Sequence, residues 1–139
     1  MEMEMMEINV SLYAPIPEAI EAVGHQVIGG AIAVHRALGP GYVEGIYHRA
    51  MIIELKSLGL RLDEELTAQI SYKDQPVGSH RADLIVAGAL VIEIKAVRQL
   101  EPIHAAQVAS YLKAFDLRLG LLINFNVAVL KQGLRRVVR

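Results

Sequence analysis

Apolar side chains recur every third or fourth residue over the first part of the chain, which predicts two amphipathic helices. The first helix spans residues 17–38, and Gly39 supplies the left-handed residue that ends it. The second helix spans residues 43–58. Because Gly29 and Gly30 weaken the first helix, they fit either close packing inside the core or the interface of a homodimer.

The later part of the chain has shorter apolar segments that are typical of strands, with one further helix. The strands are predicted at 66–72, 77–86, 90–97, 119–125 and 134–138, the last at a sheet edge, and the helix at 102–115. The order α-α-β-β-β-α-β predicts a single α/β (α+β) domain over residues 15–139, with one central sheet between helices. Residues 1–14 lack a clear period, so we expect a disordered or loosely packed leader there.

Three charged residues interrupt the most hydrophobic predicted hairpin. Glu93 and Lys95 are two residues apart on one strand, so their side chains point to the same face. A three-residue loop centred on Gly88 places Asp83 opposite Glu93, with Cβ atoms roughly 4.5–5.5 Å apart. The other face of this hairpin receives the apolar side chains of Leu84, Val86, Ile92 and Ile94.

Two carboxylates at that separation repel each other unless a proton or a cation lies between them. Mg²⁺ suits such a pair because it is a hard cation that prefers oxygen ligands. An adjacent lysine is able to hold a water molecule or to neutralise charge on a phosphate. This combination favours hydrolysis of a phosphodiester, and the alternative is a simple ion pair on a sheet edge that faces water.

Several segments resemble one superfamily of nucleases. The stretch from Asp83 to Lys95 resembles the PD-(D/E)xK signature, with Ala82 where the name of the superfamily has proline. Upstream, the run Gly41-Tyr42-Val43-Glu44-Gly45-Ile46-Tyr47 resembles the motif of the GxxExxY proteins. Downstream, Gln107-Val108-Ala109-Ser110-Tyr111 is similar to the Q-x-x-x-Y element of the RecB-like branch.

This resemblance implies a restriction-endonuclease-like fold with a central mixed sheet flanked by helices. It implies Mg²⁺, with Mn²⁺ able to replace it, bound by Asp83, Glu93 and Glu44. Lys95 is then the catalytic lysine, and Gln107 assists catalysis from the helix after the sheet.

Three further residues are candidates for substrate binding. Tyr111 shares a helix face with Gln107, and the alternatives for it are a substrate contact or a core position with a hydrogen-bonding hydroxyl. Tyr47 shares a face with Glu44, and packing of its ring is the alternative to substrate binding. Arg98 follows the catalytic strand and fits either a contact with the substrate backbone or a solvated loop position.

Composition adds several exclusions. The chain has no cysteine, which excludes disulfides, thiolate zinc sites and cysteine nucleophiles and fits a cytoplasmic location. No apolar run approaches the roughly 20 residues needed to cross a bilayer, so we expect no membrane partner. With five tyrosines, two phenylalanines and no tryptophan, an extended surface for stacking bases is not expected.

The charge distribution is uneven along the chain. The formal net charge is −1, but residues 1–65 carry −6 and residues 66–139 carry +5. A basic second half is suited to face phosphates. The cations near the end fit either a protected edge strand or a rim for a nucleic-acid backbone: Lys131, Arg135, Arg136 and Arg139.

Together these observations predict a metal-dependent nuclease that acts on nucleic acid, with DNA expected in preference to RNA. The alternative is a catalytically weak nucleic-acid-binding or adaptor module that keeps the same fold.

Overall fold

A six-stranded sheet with helices on both faces organises the chain. The computed structural model describes residues 6–9 and 15–139. The helices are α1 (Glu18–Leu38), α2 (Glu44–Ser57) and α3 (Pro102–Phe115). The strands are β1 (Met6–Asn9), β2 (Leu62–Glu64), β3 (Thr67–Tyr72), β4 (Gln75–Arg81), β5 (Leu84–Val86), β6 (Leu90–Lys95), β7 (Leu119–Asn124) and β8 (Leu134–Val138), and a 3₁₀ helix spans Leu130–Gly133.

The main sheet is mixed, as predicted. Its strands follow the order β1-β8-β7-β6-β5-β2. The pairs β1–β8 and β6–β7 are parallel, and the other neighbours are antiparallel. Strands β3 and β4 form a separate hairpin that turns at Lys73 and Asp74. This architecture confirms the α/β (α+β) class and the central sheet flanked by helices.

Alternation along the strands divides the core into two layers, one on each face of the sheet. Val27 of α1 and Met51 of α2 lie in one apolar cluster with Ile92 of β6. Val108 of α3 lies in the second cluster with Val91, the preceding residue of the same strand. Side chains of β6 therefore point alternately toward the α1–α2 layer and toward the α3 layer. Among the described residues, no helix is long and apolar enough to cross a membrane.

The predicted strand over residues 77–86 is wrong, because the structure has two strands there in different sheets. The chain bends at Ala82 and Asp83, between the mainly exposed β4 and the fully buried β5. Asp83 Oδ2 accepts a hydrogen bond from the backbone N–H of Ile94 at 3.0 Å. Because a side chain takes this hydrogen bond, regular strand pairing ends at Leu84.

The borders of the main sheet also differ from the prediction. Residues 134–138 were expected at an edge, but β8 lies between β7 and β1. Residues 6–9, expected within a loosely packed leader, form β1 beside β8. The rest of that leader, residues 1–5 and 10–14, lies outside the described residues, and the single domain over residues 15–139 stays a prediction.

Gly120 of β7 is a point of close approach between the sheet and α3. A Cβ atom at this position would lie 2.6 Å from Val108 Cγ1 and 3.5 Å from the backbone oxygen of Val91. A valine in a helix has one strongly preferred rotamer, so Val108 does not turn away without cost. We expect Gly120→Ala to lower the free energy of unfolding, measured in urea, by about 1–3 kcal/mol.

A matched control lies in α1. A Cβ at the exposed Gly29 would meet nothing within 4 Å, whereas one at the buried Gly30 would lie 3.2 Å from Leu55 Cδ2. We expect Gly29→Ala to raise the free energy of unfolding by up to about 1 kcal/mol, because alanine favours a helix. Equal effects of Gly29→Ala and Gly120→Ala would contradict the close approach at β7. The contact at Gly30 supports the core-packing explanation for that glycine, and the homodimer stays a prediction.

Candidate active site

The β5–β6 hairpin brings Asp83 next to Glu93. Its loop has three residues centred on Gly88, and Leu84 pairs with Ile92, so position 83 faces position 93. The hydrogen bond from the Ile94 N–H to Asp83 Oδ2 fixes the aspartate against β6. The hairpin therefore has the register predicted from the sequence, with Asp83 directly before β5 and close to Glu93 of β6.

Glu93 is a buried carboxylate with an incomplete set of partners. It is 4% exposed, and its Oε2 atom lies 3.3 Å from Lys95 Nζ. Its Oε1 atom is buried and has no hydrogen-bond partner among the described residues. Burial and the nearby charge of Asp83 raise the pKa of Glu93 to about 7, although Lys95 acts in the opposite direction. The ionised form of Glu93 therefore destabilises the folded protein, and a bound proton or cation would remove this destabilisation.

Glu44 approaches the same cluster from the first residue of α2. Burial and then the charge of Asp83 raise its pKa, whereas Lys95 and His48 lower it. Glu44 is therefore close enough to Asp83 and Lys95 for their charges to act on its carboxylate. Among the described residues, however, no three histidine, aspartate or glutamate side chains form a group able to hold a metal ion. The role of Glu44 as a third metal ligand stays a prediction.

Asp83 and Glu93 nevertheless fit a hard divalent cation. Mg²⁺ is commonly bound through one or two carboxylates and keeps several water molecules as its other ligands. The unpartnered Oε1 atom of Glu93 is a free acceptor in a buried position. The two carboxylates repel each other, and one of their oxygen atoms has no hydrogen-bond partner in the described part of the chain. Because hard cations prefer oxygen ligands, this pair suits Mg²⁺ better than a soft metal.

Tyr111 faces the carboxylates from α3. The residue is 4% exposed. Burial, followed by the charges of Glu93 and Asp83, raises the pKa of Tyr111 to about 12. Its hydroxyl therefore stays protonated at neutral pH and is able to act as a hydrogen-bond donor. Gln107 lies one turn earlier on α3 and is partly exposed, and its role in the site stays a prediction.

His80 links the hairpin β3–β4 to α3 and was not among the predicted site residues. Its ring lies 4.4 Å from the ring of Tyr111, and its Nε2 atom lies 2.8 Å from Ser110 Oγ. The Ser110 hydroxyl donates to the carbonyl of Gln107, so it accepts from the Nε2–H of His80. His80 also lines a cleft of about 710 Å³ between the hairpin and α3. Its position three residues before Asp83 was the only sequence signal for this role.

Tyr47 does not occupy the predicted position for substrate binding. Its side chain is fully buried and stacks on Phe125, with ring centroids 4.7 Å apart. Its hydroxyl donates to the carbonyl of Gly39 at 2.5 Å and accepts from the N–H of Tyr42 at 3.2 Å. Tyr47 therefore holds the loop that precedes Glu44, in agreement with the packing alternative.

Two of the tail cations pair with acids of this chain. Arg136 forms a bidentate ion pair with Glu21 of α1, and this pair lowers the pKa of the carboxylate. Arg139 Nη1 lies 2.9 Å from Asp116 Oδ1. Arg136 therefore ties β8 to α1, whereas Arg139 pairs with an exposed acid after α3, and a rim for a nucleic-acid backbone stays a prediction. Arg98, in contrast, is exposed in the loop between β6 and α3.

The comparisons with known proteins agree with this arrangement. A mixed sheet flanked by helices, with Asp83 just before β5 and with Glu93 and Lys95 on β6, is consistent with a restriction-endonuclease-like fold. The model of the PD-(D/E)XK nuclease superfamily matches residues 21–137, and the chain belongs to this superfamily. No curated protein matches the chain.

One solved structure is similar to the chain, the crystal structure of SSO0001, with a TM-score of 0.47 and 23% sequence identity. The match covers 77% of this chain and 54% of SSO0001, so the chain spans about half the length of that protein.

Proposed function

We propose that the protein is a metal-dependent nuclease that hydrolyses phosphodiester bonds, with DNA as the expected substrate. The observation that carries this proposal is the cluster of Asp83, Glu93 and Lys95, in which one buried carboxylate oxygen has no hydrogen-bond partner. Membership of a superfamily that generally consists of nucleases supports the same reaction class.

The two acids and the lysine of the cluster have different roles in this proposal. Asp83 and Glu93 hold Mg²⁺ or Mn²⁺, and such an ion would offset both the burial and the repulsion from Asp83 that raise the pKa of Glu93. When bound, the ion supplies Lewis-acid stabilisation of the charge that develops on the phosphate. Lys95 orients the attacking water or stabilises negative charge on the phosphate through its ammonium group.

The surrounding residues position the substrate. The protonated hydroxyl of Tyr111 donates a hydrogen bond toward the phosphate or its water shell, and Gln107 acts from the same helix face. Arg98 contacts the substrate backbone from its exposed loop. Glu44 acts on the charge of the cluster from α2 and would be the third residue to hold the ion.

We also propose the narrower assignment to the GxxExxY proteins. Gly41 has a φ of 111°, in the range that favours glycine, and Tyr47 ties the neighbouring backbone to the core. Between them, Glu44 starts α2 and points its charge at Asp83 and Lys95. Gly41 and Tyr47 of the motif thus shape the loop that precedes Glu44.

Metal binding tests the proposal independently of the substrate. We expect calorimetric titration with Mg²⁺ to show one site in the parent protein, and Asp83→Asn to weaken binding at least tenfold because one charged oxygen ligand is lost. Glu64→Gln is the matched control, since Glu64 is an exposed acid that pairs with Lys56 at 3.8 Å outside the cluster.

Cleavage of labelled single-stranded and duplex DNA and RNA, in Mg²⁺ and in EDTA, completes the test. We expect hydrolysis in Mg²⁺ only. Binding of nucleic acid without Mg²⁺ binding or cleavage would contradict the nuclease and would favour the adaptor module.

A further inference from the structure

An exposed aromatic ring lies two residues before Glu44 and is not used by the mechanism above. Tyr42 is 48% exposed, and the adjacent Val43 is 69% exposed. Both residues directly precede Glu44, whose carboxylate lies near Asp83 and Lys95. Large apolar groups exposed side by side at a polar site require an explanation, because such patches usually mark a contact.

The ring of Tyr42 is held in place rather than free in solvent. It meets the ring of Tyr47 edge to face, with centroids 6.1 Å apart and planes at 70°. The backbone N–H of Tyr42 donates to the hydroxyl of Tyr47, and that hydroxyl donates to the carbonyl of Gly39. Because these contacts already fix the loop, Tyr42 would lose little conformational entropy when a ligand binds to it.

The same row of rings connects Tyr42 to the strand that carries the lysine. Tyr47 stacks on Phe125 with planes at 7°. The N–H of Phe125 donates to the carbonyl of Lys95 at 3.0 Å. Tyr42 is thus the exposed end of an aromatic row that starts at the end of β6, where Lys95 points into the cluster.

We propose that the exposed face of Tyr42 is a stacking site for one unpaired nucleobase beside the phosphate that is cleaved. This inference rests on the proposed nuclease function and names its substrate class as single-stranded nucleic acid or a frayed end. Inside a duplex, both faces of a base are covered by its neighbours, so only an unpaired or terminal base is able to stack on a protein ring. One fixed ring is sufficient for this contact, and it is compatible with the small number of aromatic residues in the chain.

Tyr72 provides a matched control within the same protein. It is 65% exposed, at the end of β3 in the hairpin β3–β4. The ammonium group of Lys73 lies 5.6 Å from the centre of its ring, so one ring face already has a partner. Among the described residues, the ring of Tyr72 does not pair with the ring of Tyr47 or of Phe125.

The test is equilibrium binding of a fluorescent single-stranded DNA oligonucleotide in EDTA, followed by anisotropy, so that no cleavage is needed. Stacking of one base on an aromatic ring is worth about 1–3 kcal/mol. We therefore expect Tyr42→Ala to weaken binding by about 5- to 150-fold, and Tyr42→Trp to retain it. Tyr72→Ala should bind like the parent protein, and binding of a blunt-ended hairpin duplex should change little in any variant.

A second variant separates stacking from a structural effect. Tyr42→Leu keeps an apolar contact with Tyr47 but has no aromatic face, so it should fold normally and still bind the single strand as weakly as Tyr42→Ala. Parental affinity in Tyr42→Leu, or equal losses for single strand and duplex, would overturn the stacking site. So would a parent protein that does not bind the single strand. Failure of the nuclease proposal is recognised separately, by the absence of Mg²⁺-dependent cleavage in the parent protein.

Discussion

Lys95→Met is expected to lower the rate of Mg²⁺-dependent cleavage by on the order of 10²–10³-fold, with little change in substrate affinity. Methionine keeps an unbranched apolar chain and removes the ammonium group that lies 3.3 Å from Glu93 Oε2. Because this group is held by a buried partner, its position needs no rearrangement when charge develops on the phosphate. Single-turnover cleavage with saturating protein measures the effect without a contribution from product release.

Lys56→Met is the control for that experiment. Lys56 is also a lysine paired with a glutamate, but its partner Glu64 is exposed and the pair lies at 3.8 Å on the surface. We expect its cleavage rate to equal that of the parent protein. A parental rate in Lys95→Met, with Mg²⁺ still required, would show that the lysine has no part in the reaction.

The acidic pair was predictable from the sequence because a hairpin with a short loop has few registers. The apolar side chains of Leu84 and Ile92 must share one face, and Gly88 marks the centre of the loop. These two constraints determine which residue faces Glu93. The rule that neighbouring strand positions alternate between faces then places Lys95 with Glu93.

Other features depend on contacts between distant segments, so the local pattern did not contain them. Strand β2 has only three residues, which is too few for a period, and it forms because β5 offers it a partner. The break between β4 and β5 arises because the carboxylate of Asp83 replaces a backbone acceptor. A pattern of apolar residues does not distinguish such a side chain from one that points to solvent.

The position of the tyrosines shows the same limit. Tyr47 and Tyr42 are five residues apart, yet the first is fully buried and the second is half exposed. Stacking on Phe125, which follows β7, decides this difference. The spacing of Glu44 and Tyr47 predicted that they share a helix face. Only the packing of α2 on the sheet shows that Tyr47 is buried, whereas the Glu44 carboxylate is close enough to Asp83 to be affected by its charge.

Glu93→Gln is expected to remove cleavage and at the same time to make the metal-free protein more stable at alkaline pH. The pKa of Glu93 rises from its ordinary value of 4.5 to about 7 on folding, so between these values the folded state binds more protons than the unfolded state. Stability from this group is therefore fully present below pH 4.5 and is lost as the pH rises through 7. The loss amounts to roughly 3 kcal/mol, since each unit of pKa corresponds to about 1.4 kcal/mol.

Urea unfolding of both proteins in EDTA measures this effect. The difference in the free energy of unfolding between variant and parent at pH 4.5 is compared with the same difference at pH 8. The variant should resemble the parent at pH 4.5, where Glu93 is largely protonated, and should exceed its free energy of unfolding by up to roughly 3 kcal/mol at pH 8. Glu64→Gln, at the exposed Lys56–Glu64 pair, should change stability by no more than about 0.5 kcal/mol at either pH.

Added Mg²⁺ should remove most of this stability difference at pH 8. An ion that binds only the folded state at 100 times its Kd stabilises a protein by about 2.7 kcal/mol, and the parent protein should gain this amount. Glu93→Gln should gain much less, because the ion loses one of its two charged oxygen ligands. If Mg²⁺ stabilised both proteins equally, Glu93 would not be a ligand of the ion. If the two proteins differed in stability by the same amount at pH 4.5 and pH 8, the charge of the buried Glu93 would not destabilise the folded state.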